Sequence, residues 1–217
     1  MSKVVILRPE PGASATLARA EAAGLVATAI PLFEVRGLDW VAPDTADFDA
    51  LLLTSANAVR HGGIQLASLS GLPAYCVGGA TAAAAEAAGL GIADTGTGNA
   101  ADLAGRLPEE LRVLHLTGRN HRALAGATEI AVYDSIAIDP PPSLAALVGG
   151  VAMVHSPRAG ARLAELVTER HKVAIAAISS AAAAACGTGW RAVQSVAMPT
   201  DAALLELAAT LWHKLKE

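Results

Sequence analysis

Short apolar runs, typical of buried strands, alternate along the chain with alanine-rich stretches of helical character. The runs predict strands at Lys3–Leu7, Leu25–Ile30, Asp49–Thr54, Pro73–Val77, Gly91–Asp94, Leu111–Leu116, Glu129–Tyr133, Gly150–His155, Lys172–Ile178 and Ala192–Ala197. The helical segments between them include Ala13–Ala23, Ala80–Ala88, Arg158–Arg170 and Asp201–Lys216. This alternation predicts an α/β fold, in which helices cover both faces of a parallel sheet and ligands bind beyond the carboxyl ends of the strands.

An internal repeat relates the two halves of the chain. Ser156 follows Ser55 by 101 residues, and three strand–turn–helix junctions keep that offset. They pair residues 49–59 with 150–160, 78–81 with 179–182, and 99–103 with 200–204. Two similar parallel-sheet α/β lobes explain this pattern better than a solenoid does, because a solenoid would repeat at a much shorter period.

Two segments interrupt the rhythm of strands and helices. Residues 30–35 and 131–138 alternate polar and apolar side chains, and each precedes a proline-bearing stretch. We interpret them as a two-stranded connector at about 31–37 and 132–138. Residues 38–131 would then form one continuous lobe, residues 1–33 plus 138–217 the other, and the active site would lie in the cleft between them.

Composition and charge narrow the function. A chain of 217 residues with 53% hydrophobic content can bury a core, and its net charge of −4 lacks the basic field of a nucleic-acid binder. Residues 173–190 carry no charge, but Ser179 and Ser180 divide them into a strand and a helix, so no membrane span is expected. Cys76 and Cys186 lie far apart, which is typical of a reduced intracellular protein, and we expect a cytoplasmic location.

Motifs for bound cofactors are weak. Gly96-x-Gly98-x-x-Ala101 resembles a dinucleotide fingerprint, but it occurs in a late turn, so we interpret these residues as turn glycines. The chain has no P-loop, no Gly-x-Ser-x-Gly and no histidines at metal-ligand spacing, so no metal or cofactor is expected. His115 and His155 end two of the predicted strands; either a role in the cleft or a packed, hydrogen-bonded role is open to them.

Hydroxyl and amide side chains follow several predicted strands, where the next helix begins. They lie in the segments Thr54–Asn57, Gly78–Thr81, His155–Arg158 and Ser179–Ser180. Such residues cap helices for structural reasons alone. Helix N-termini also bind anions through free backbone N–H groups, and the two roles can coexist.

In these motifs and their order, the chain resembles the uroporphyrinogen-III synthase family. The matching segments are Leu7–Glu10, Thr54–Val59, Val77–Ala82, Val132–Tyr133, His155–Arg158 and Pro199–Leu204. The resemblance implies a monomeric, cofactor-free lyase of heme biosynthesis. Its substrate would be the linear tetrapyrrole hydroxymethylbilane, which loses water, inverts ring D through a spirocyclic pyrrolenine and closes as uroporphyrinogen III. A transient contact with the preceding pathway enzyme would also be expected, and orientation of the substrate would supply most of the catalysis.

The resemblance also implies the site residues. Tyr133 and Thr81 match catalytic positions, although a connector tyrosine could instead only pack the lobes together. The positions that match substrate-binding residues are Arg8, Ser55, Asn57, Gly78, Gly79, Ser156, Arg158, Ser179 and Ser180. One departure is that residues 179–183 read Ser-Ser-Ala-Ala-Ala where the family commonly has Gly-Pro-Thr-Thr-Ala. That change leaves open a non-catalytic tetrapyrrole-binding or regulatory protein.

Overall fold

The fold is seen in a computed structural model that describes residues 4–96, 103, 105–108, 110–121 and 123–215. The chain divides into two compact units. Unit 1 contains Met1–Glu34 and Ala137–Glu217, and unit 2 contains Val35–Ile136. Both chain crossings between the units therefore fall in the alternating segments 30–35 and 131–138.

Strands and short helices alternate through the described residues, as the apolar pattern predicts. The strands are β1 (Val4–Ile6), β2 (Ala27–Ala29), β3 (Phe33–Gly37), β4 (Ala50–Leu53), β5 (Ala74–Val77), β6 (Ile92–Gly96), β7 (Val113–Gly118), β8 (Ala127–Ala137), β9 (Val151–Val154), β10 (Ala174–Ala177) and β11 (Ala192–Ser195). The α-helices are α1 (Gly12–Ala22), α2 (Ala56–Arg60), α3 (Gly79–Ala87), α4 (Pro157–Leu166), α5 (Ser180–Ala185) and α6 (Asp201–Lys214). Short 3₁₀ helices occupy Thr45–Asp47, Gly63–Leu69, Ala145–Leu147 and Arg170–Lys172.

Each unit is built on one sheet. Unit 1 has the strand order β11-β10-β9-β1-β2, and all of these neighbouring strands pair in parallel. Unit 2 is built on the order β3-β8-β7-β4-β5-β6, in which strands β4 to β8 pair in parallel. The N–H of Leu38 donates to the Val132 carbonyl, and the N–H of Ile138 donates to the Leu32 carbonyl. From Leu32 to Leu38 the residue number rises, while that of the bonded partner falls from Ile138 to Val132. The strand β3 therefore runs antiparallel to β8.

The two sheets repeat one topology. Along the order β11-β10-β9-β1-β2, the strands correspond to β6-β5-β4-β7-β8 of the other sheet. The registers agree as well, because Leu52 pairs with Tyr75 and, 101 residues on from each, Met153 pairs with Ala176. On the other side, Leu52 pairs with His115 and Met153 pairs with Ile6. For the junctions at 49–59 and 78–81, the internal offset seen in the sequence is therefore an offset between equivalent structural positions, whereas residues 99–102 of the third junction lie outside the described residues.

Alanine and glycine allow the helices to pack closely on these small sheets. Strands β1, β4, β9 and β10 are buried along their whole lengths, as expected for parallel strands covered on both faces. In α4, a Cβ at Gly160 would lie 2.8 Å from the Ala182 carbonyl oxygen of α5, so these helices approach each other at a position that only glycine fits. The alanine excess is thus a packing feature.

Some predicted bounds were wrong. The helix predicted over 158–170 ends at Leu166, because Val167 is extended and the Arg170 side chain donates to the carbonyls of Ala164 and Val167. β8 is longer than predicted and runs on into the connector. Residues 173–190 form β10 and α5, and no described helix is long and apolar enough to cross a membrane. Gly98 and Ala101 of the glycine motif lie outside the described residues.

Candidate active site

The predicted site residues of unit 2 share one edge of its sheet. Thr54 and Ser55 directly follow β4, and Gly78 directly follows β5. Tyr133 pairs with Gly118, the last residue of β7. Because these strands are parallel, their carboxyl ends lie at the same edge, where ligands of α/β sheets bind. The structure therefore brings the turn hydroxyls and the tyrosine of unit 2 to a common edge.

Gly118 leaves the room that the Tyr133 ring occupies. A Cβ at Gly118 would lie 2.6 Å from Cζ and 3.0 Å from the hydroxyl oxygen of Tyr133. The half-buried ring also lies 6.3 Å, centroid to centroid, from the imidazole of His61. Burial, with a smaller effect from the neighbouring Arg60, lowers the pKa of His61 and favours its neutral form. Tyr133 thus lies against Gly118 and near an imidazole whose neutral form is favoured.

A chain of side-chain hydrogen bonds begins at the same edge, at Thr54. The Thr54 hydroxyl lies 3.0 Å from Nε2 of His115, and Nδ1 of His115 lies 3.1 Å from Oε1 of Glu129. Nε2 of His121 lies 2.8 Å from Oε2 of Glu129, and its Nδ1 lies 2.8 Å from the Gly118 carbonyl oxygen. We call Thr54, His115, Glu129 and His121 the unit 2 relay.

The charges of the relay follow from its surroundings. Burial lowers the pKa of His115, whose side chain is 2% exposed, although Glu129 acts in the opposite direction. Burial also acts to raise the pKa of Glu129, but hydrogen bonds from His121, the Leu124 N–H and His115 outweigh it and lower that pKa. The bond to Glu129 raises the pKa of His121. These shifts favour the carboxylate form of Glu129, the neutral form of His115 and the imidazolium form of His121.

Serine side chains cap the helices that begin at these edges. The hydroxyls of Ser55, Ser156 and Ser179 each accept a hydrogen bond of 3.2 Å from a backbone N–H in the first turn of α2, α4 and α5. The structural role proposed for these residues is thus confirmed. A hydroxyl that accepts one bond still has its own O–H to donate, so capping leaves each serine able to bind a carboxylate.

Glycine forms the turn before α3. Gly78 has φ of 81°, a conformation that favours glycine, and it precedes the first residue of the helix, Gly79. No heavy atom of the described residues lies within 4 Å of a Cβ built at either position, neighbours aside. Thr81 follows in the first turn, but only 4% of it is exposed. The turn therefore offers open backbone, whereas Thr81 is buried.

In unit 1, Asp201 is the centre of a polar cluster at the corresponding edge. Its carboxylate accepts from the Thr16 hydroxyl at 2.8 Å and from Nε of Arg19 at 2.8 Å. It also accepts from Nε2 of His155 at 2.9 Å and from Nη1 of Arg8 at 3.2 Å. Burial acts to raise the pKa of Asp201, but the hydrogen bonds from His155, Thr16 and Arg19 outweigh it and lower the pKa. The predicted substrate ligand Arg8 is thus already paired with a carboxylate.

Of the three remaining predicted ligands, two are exposed and one is half-buried. Arg158 is exposed, and its guanidinium lies 4.8 Å from the centroid of the Phe33 ring. Ser180 is exposed at the start of α5. Asn57 is half-buried in α2, and its side-chain oxygen accepts a hydrogen bond from Nη1 of Arg60.

Sequence reasoning missed the carboxylate partners of both strand-end histidines. The sequence left two roles open for His115 and His155, one in the cleft and one packed and hydrogen-bonded. Both side chains are hydrogen-bonded, but Glu129 and Asp201 were not identified as their partners. The sequence did contain a signal for Glu129, because it lies in the strand after the one with His115, and consecutive strands are usually neighbours in a sheet. Asp201 had no such signal, since it begins a helix far along the chain. Among the described residues, no group of three or more His, Cys, Asp or Glu side chains could hold a metal ion.

The fold and these edges define a two-unit α/β protein that presents hydroxyl groups and open glycine backbone at the carboxyl ends of parallel strands. The family profile HEM4, uroporphyrinogen-III synthase HemD, matches residues 14–206. The chain therefore belongs to the uroporphyrinogen-III synthase family, whose members are cyclising lyases of tetrapyrrole biosynthesis. No curated protein sequence matches it.

Solved structures agree with this assignment at the level of the fold. A uroporphyrinogen-III synthetase from Helicobacter pylori 26695 is 17% identical, with a TM-score of 0.67 over 97% of this chain and 100% of that one. A mutant uroporphyrinogen III synthase from the extremely thermophilic bacterium Thermus thermophilus is 16% identical, with a TM-score of 0.54 over 98% of this chain and 100% of that one. These similarities support the two-unit α/β architecture.

Proposed function

We propose that this chain converts hydroxymethylbilane to uroporphyrinogen III, with loss of water and inversion of ring D. The observation that carries the proposal is the family match over residues 14–206, which covers the hydroxyl-bearing turns of both units and the glycine turn of unit 2. No cofactor is part of the proposal, because the substrate already contains the leaving group and the attacking ring. We further propose that the protein acts as a cytoplasmic monomer and that it contacts the preceding enzyme only transiently.

The turns suit a polycarboxylate. Ser55, Ser156 and Ser179 can each donate an O–H to a carboxylate while they cap their helices. Gly78 and Gly79 offer backbone that substrate atoms can approach closely, since no described side chain crowds them. We assign Arg158, Asn57 and Ser180 to substrate binding through their positions beside these turns. Arg8 would attract substrate carboxylates more weakly than an unpaired arginine would, because Asp201 already neutralises part of its charge.

Tyr133 is the proposed catalytic residue. A phenol is a modest acid at neutral pH, and it can donate a hydrogen bond to the departing hydroxyl of the substrate. Its place at the carboxyl edge of unit 2, beside neutral His61, supports that role. Thr81 is 4% exposed, which favours a part in shaping the glycine turn over direct contact with substrate. Most of the rate would come from orientation, because the spontaneous closure gives the uninverted isomer.

The isomer ratio tests the proposed function. Purified protein is incubated with hydroxymethylbilane, the products are oxidised, and the isomers are separated by chromatography. We expect isomer III in excess over isomer I. A ratio equal to the spontaneous one contradicts the proposal, and binding of the bilane without control of the isomer would identify a tetrapyrrole-binding protein instead.

Substitution of Tyr133 tests the mechanism. We expect Tyr133→Phe to lower turnover more than Arg36→Ala does, because it removes the proposed donor. Tyr75→Phe provides a matched control, since Tyr75 is also half-buried in a strand of the same sheet. Equal activities of the two phenylalanine variants would remove Tyr133 from the mechanism.

A further inference from the structure

We propose that Thr54 Oγ1 is a hydrogen-bond acceptor for a pyrrole N–H of the bilane, and that His115, Glu129 and His121 position it for that contact. The inference rests on the proposed function, and it deepens it by assigning one polar contact of the substrate. Thr54 is the contact residue, whereas the other three members of the unit 2 relay act through it.

The direction of each hydrogen bond in the relay follows from the groups that can accept. The Gly118 carbonyl and the Glu129 carboxylate only accept, so both ring nitrogens of His121 carry hydrogen. Glu129 must also accept from Nδ1 of His115. The neutral ring of His115 then has an unprotonated Nε2, which accepts from the Thr54 hydroxyl.

That direction determines what Thr54 can offer a ligand. Its single O–H hydrogen points to His115, so only the oxygen lone pairs remain for another partner. The residue is half-buried, which leaves part of it open beside Ser55. The two neighbours therefore have opposite capacities, because Ser55 accepts from a backbone N–H and can donate outward, whereas Thr54 donates inward and can accept.

The chemistry of the substrate selects the partner. Its carboxylates are ionised at neutral pH and accept hydrogen bonds, so they suit Ser55 and not Thr54. Its pyrrole N–H groups are donors and suit Thr54. When a pyrrole attacks through a ring carbon to form the spirocyclic pyrrolenine, positive charge develops on its nitrogen. An acceptor at that N–H binds the transition state more tightly than the ground state, which raises kcat.

The fold itself does not require the polar pair of the relay, buried His115 and half-buried Glu129. His115 of β7 corresponds to Ile6 of β1, because they pair with the equivalent residues Leu52 and Met153. Their partners in the next strand, Glu129 of β8 and Ala29 of β2, then correspond as well. Both sheets form with the same order and register around these different residues. Buried polar groups are costly unless they are satisfied, and apolar replacements of a buried pair are often neutral in stability. A role in the site explains why unit 2 carries the polar pair.

Single and double substitutions of the relay provide the test. In the wild type, excess isomer III first establishes the proposed function, so failure there is distinct from failure of the relay. Thr54→Val removes the acceptor with little change of shape, and we expect kcat to fall about tenfold, the factor that corresponds to one ordinary hydrogen bond. KM should change by less than about threefold, and Thr54→Ser, which keeps the hydroxyl, should retain most of the activity.

The positioning role of His115 is read from coupling between residues. His115→Ile introduces the residue found at the equivalent position of unit 1, and we expect a similar fall in kcat. The double variant Thr54→Val/His115→Ile should be no slower than the slower single variant, because both changes break the same contact. Additive losses would show that His115 acts independently of Thr54 and would overturn the positioning role.

A control substitution away from the relay, and replacement variants for any that do not fold, complete the test. Asp49→Asn breaks the ion pair of Asp49 with Arg112, two residues that precede β4 and β7 at the other edge of the sheet, and it should leave kcat unchanged. If His115→Ile does not fold, His115→Ile/Glu129→Ala restores the apolar pair of unit 1 and takes its place. If neither of these folds, the contact is decided by Thr54→Val against Thr54→Ser. Wild-type kcat in Thr54→Val would overturn the whole inference.

Discussion

Replacement of Asp201 by asparagine tests how the edge of unit 1 is held together. Its carboxylate accepts hydrogen bonds from four side chains, which belong to α1, the turn between β1 and α1, and the residue after β9. Only 18% of the Asp201 side chain is exposed, and Thr16 is fully buried. An asparagine at this position would keep one acceptor oxygen, lose the charge and present an NH2 group to donors that need an acceptor. We therefore expect the variant to fold with reduced stability.

The magnitude follows from the contacts. Removing the largely buried carboxylate at the centre of this partly exposed cluster costs about 3 kcal/mol, since charges and donors are left uncompensated. For a chain of this size, each kcal/mol corresponds to a shift in Tm of about 2–4 °C. We therefore expect Tm to fall by roughly 6–12 °C at pH 7. Asp49→Asn is the control, because it removes a carboxylate from an exposed arginine pair, and its loss should be clearly smaller.

The dependence on pH gives a second readout. The pKa of Asp201 is lowered in the folded state, so its contribution to stability is present above the unfolded pKa, near 4, and is lost as the pH falls further. The difference in Tm between wild type and Asp201→Asn should therefore shrink below about pH 4. Thermal unfolding followed by circular dichroism at pH 7 and pH 3 measures both quantities. A shift under about 1 °C at pH 7, or an unchanged difference at pH 3, would refute the reasoning.

Three further predictions concern single residues. Gly118→Ala places a Cβ 2.6 Å from an atom of the Tyr133 ring, so turnover of the bilane should fall. Gly71→Ala is the control and should leave turnover unchanged, because its Cβ meets no heavy atom within 4 Å among the described residues. Arg170→Lys removes a guanidinium that donates to three backbone carbonyls, and chemical denaturation should show a loss of about 1–2 kcal/mol; equal stability would contradict that role. The raised pKa of His121 predicts an NMR titration midpoint above 6.5 for its ring. The contribution of this group to stability should be complete below pH 6.5 and lost as the pH rises through the folded pKa. A midpoint below 6.5 would contradict the charge assigned to the ring.

The two units use one topology for different chemistry. Both sheets place a polar residue directly after the strand β4 or β9, and these residues are Thr54 and His155. In unit 2 the side chain bonds to His115 of the neighbouring strand β7, whereas in unit 1 it bonds to Asp201 at the start of α6. The repeat therefore supplies equivalent positions, and the side chains at those positions decide whether an edge offers an acceptor or carries an ionic cluster.

The sequence by itself determined the fold class, the repeat and the family. These depend on local information, because the period of the apolar residues distinguishes strand from helix and the offset of 101 residues relates whole strand–turn–helix segments. The serines and glycines of the turns were also identified from sequence, since residues such as Ser55 and Gly78 are selected by capping and by backbone conformation within a few residues.

Only the tertiary structure decided which side chains meet. Glu129 joins His115 because β7 and β8 pair in one particular register, and a shift of one residue would turn the carboxylate to the other face of the sheet. Asp201 meets Arg8 across 193 residues of sequence because α6 packs on the sheet that contains β1. Local pattern does not encode such register and packing, which arise from the joint burial of apolar surface. The ionic cluster and the unit 2 relay therefore became visible only in three dimensions.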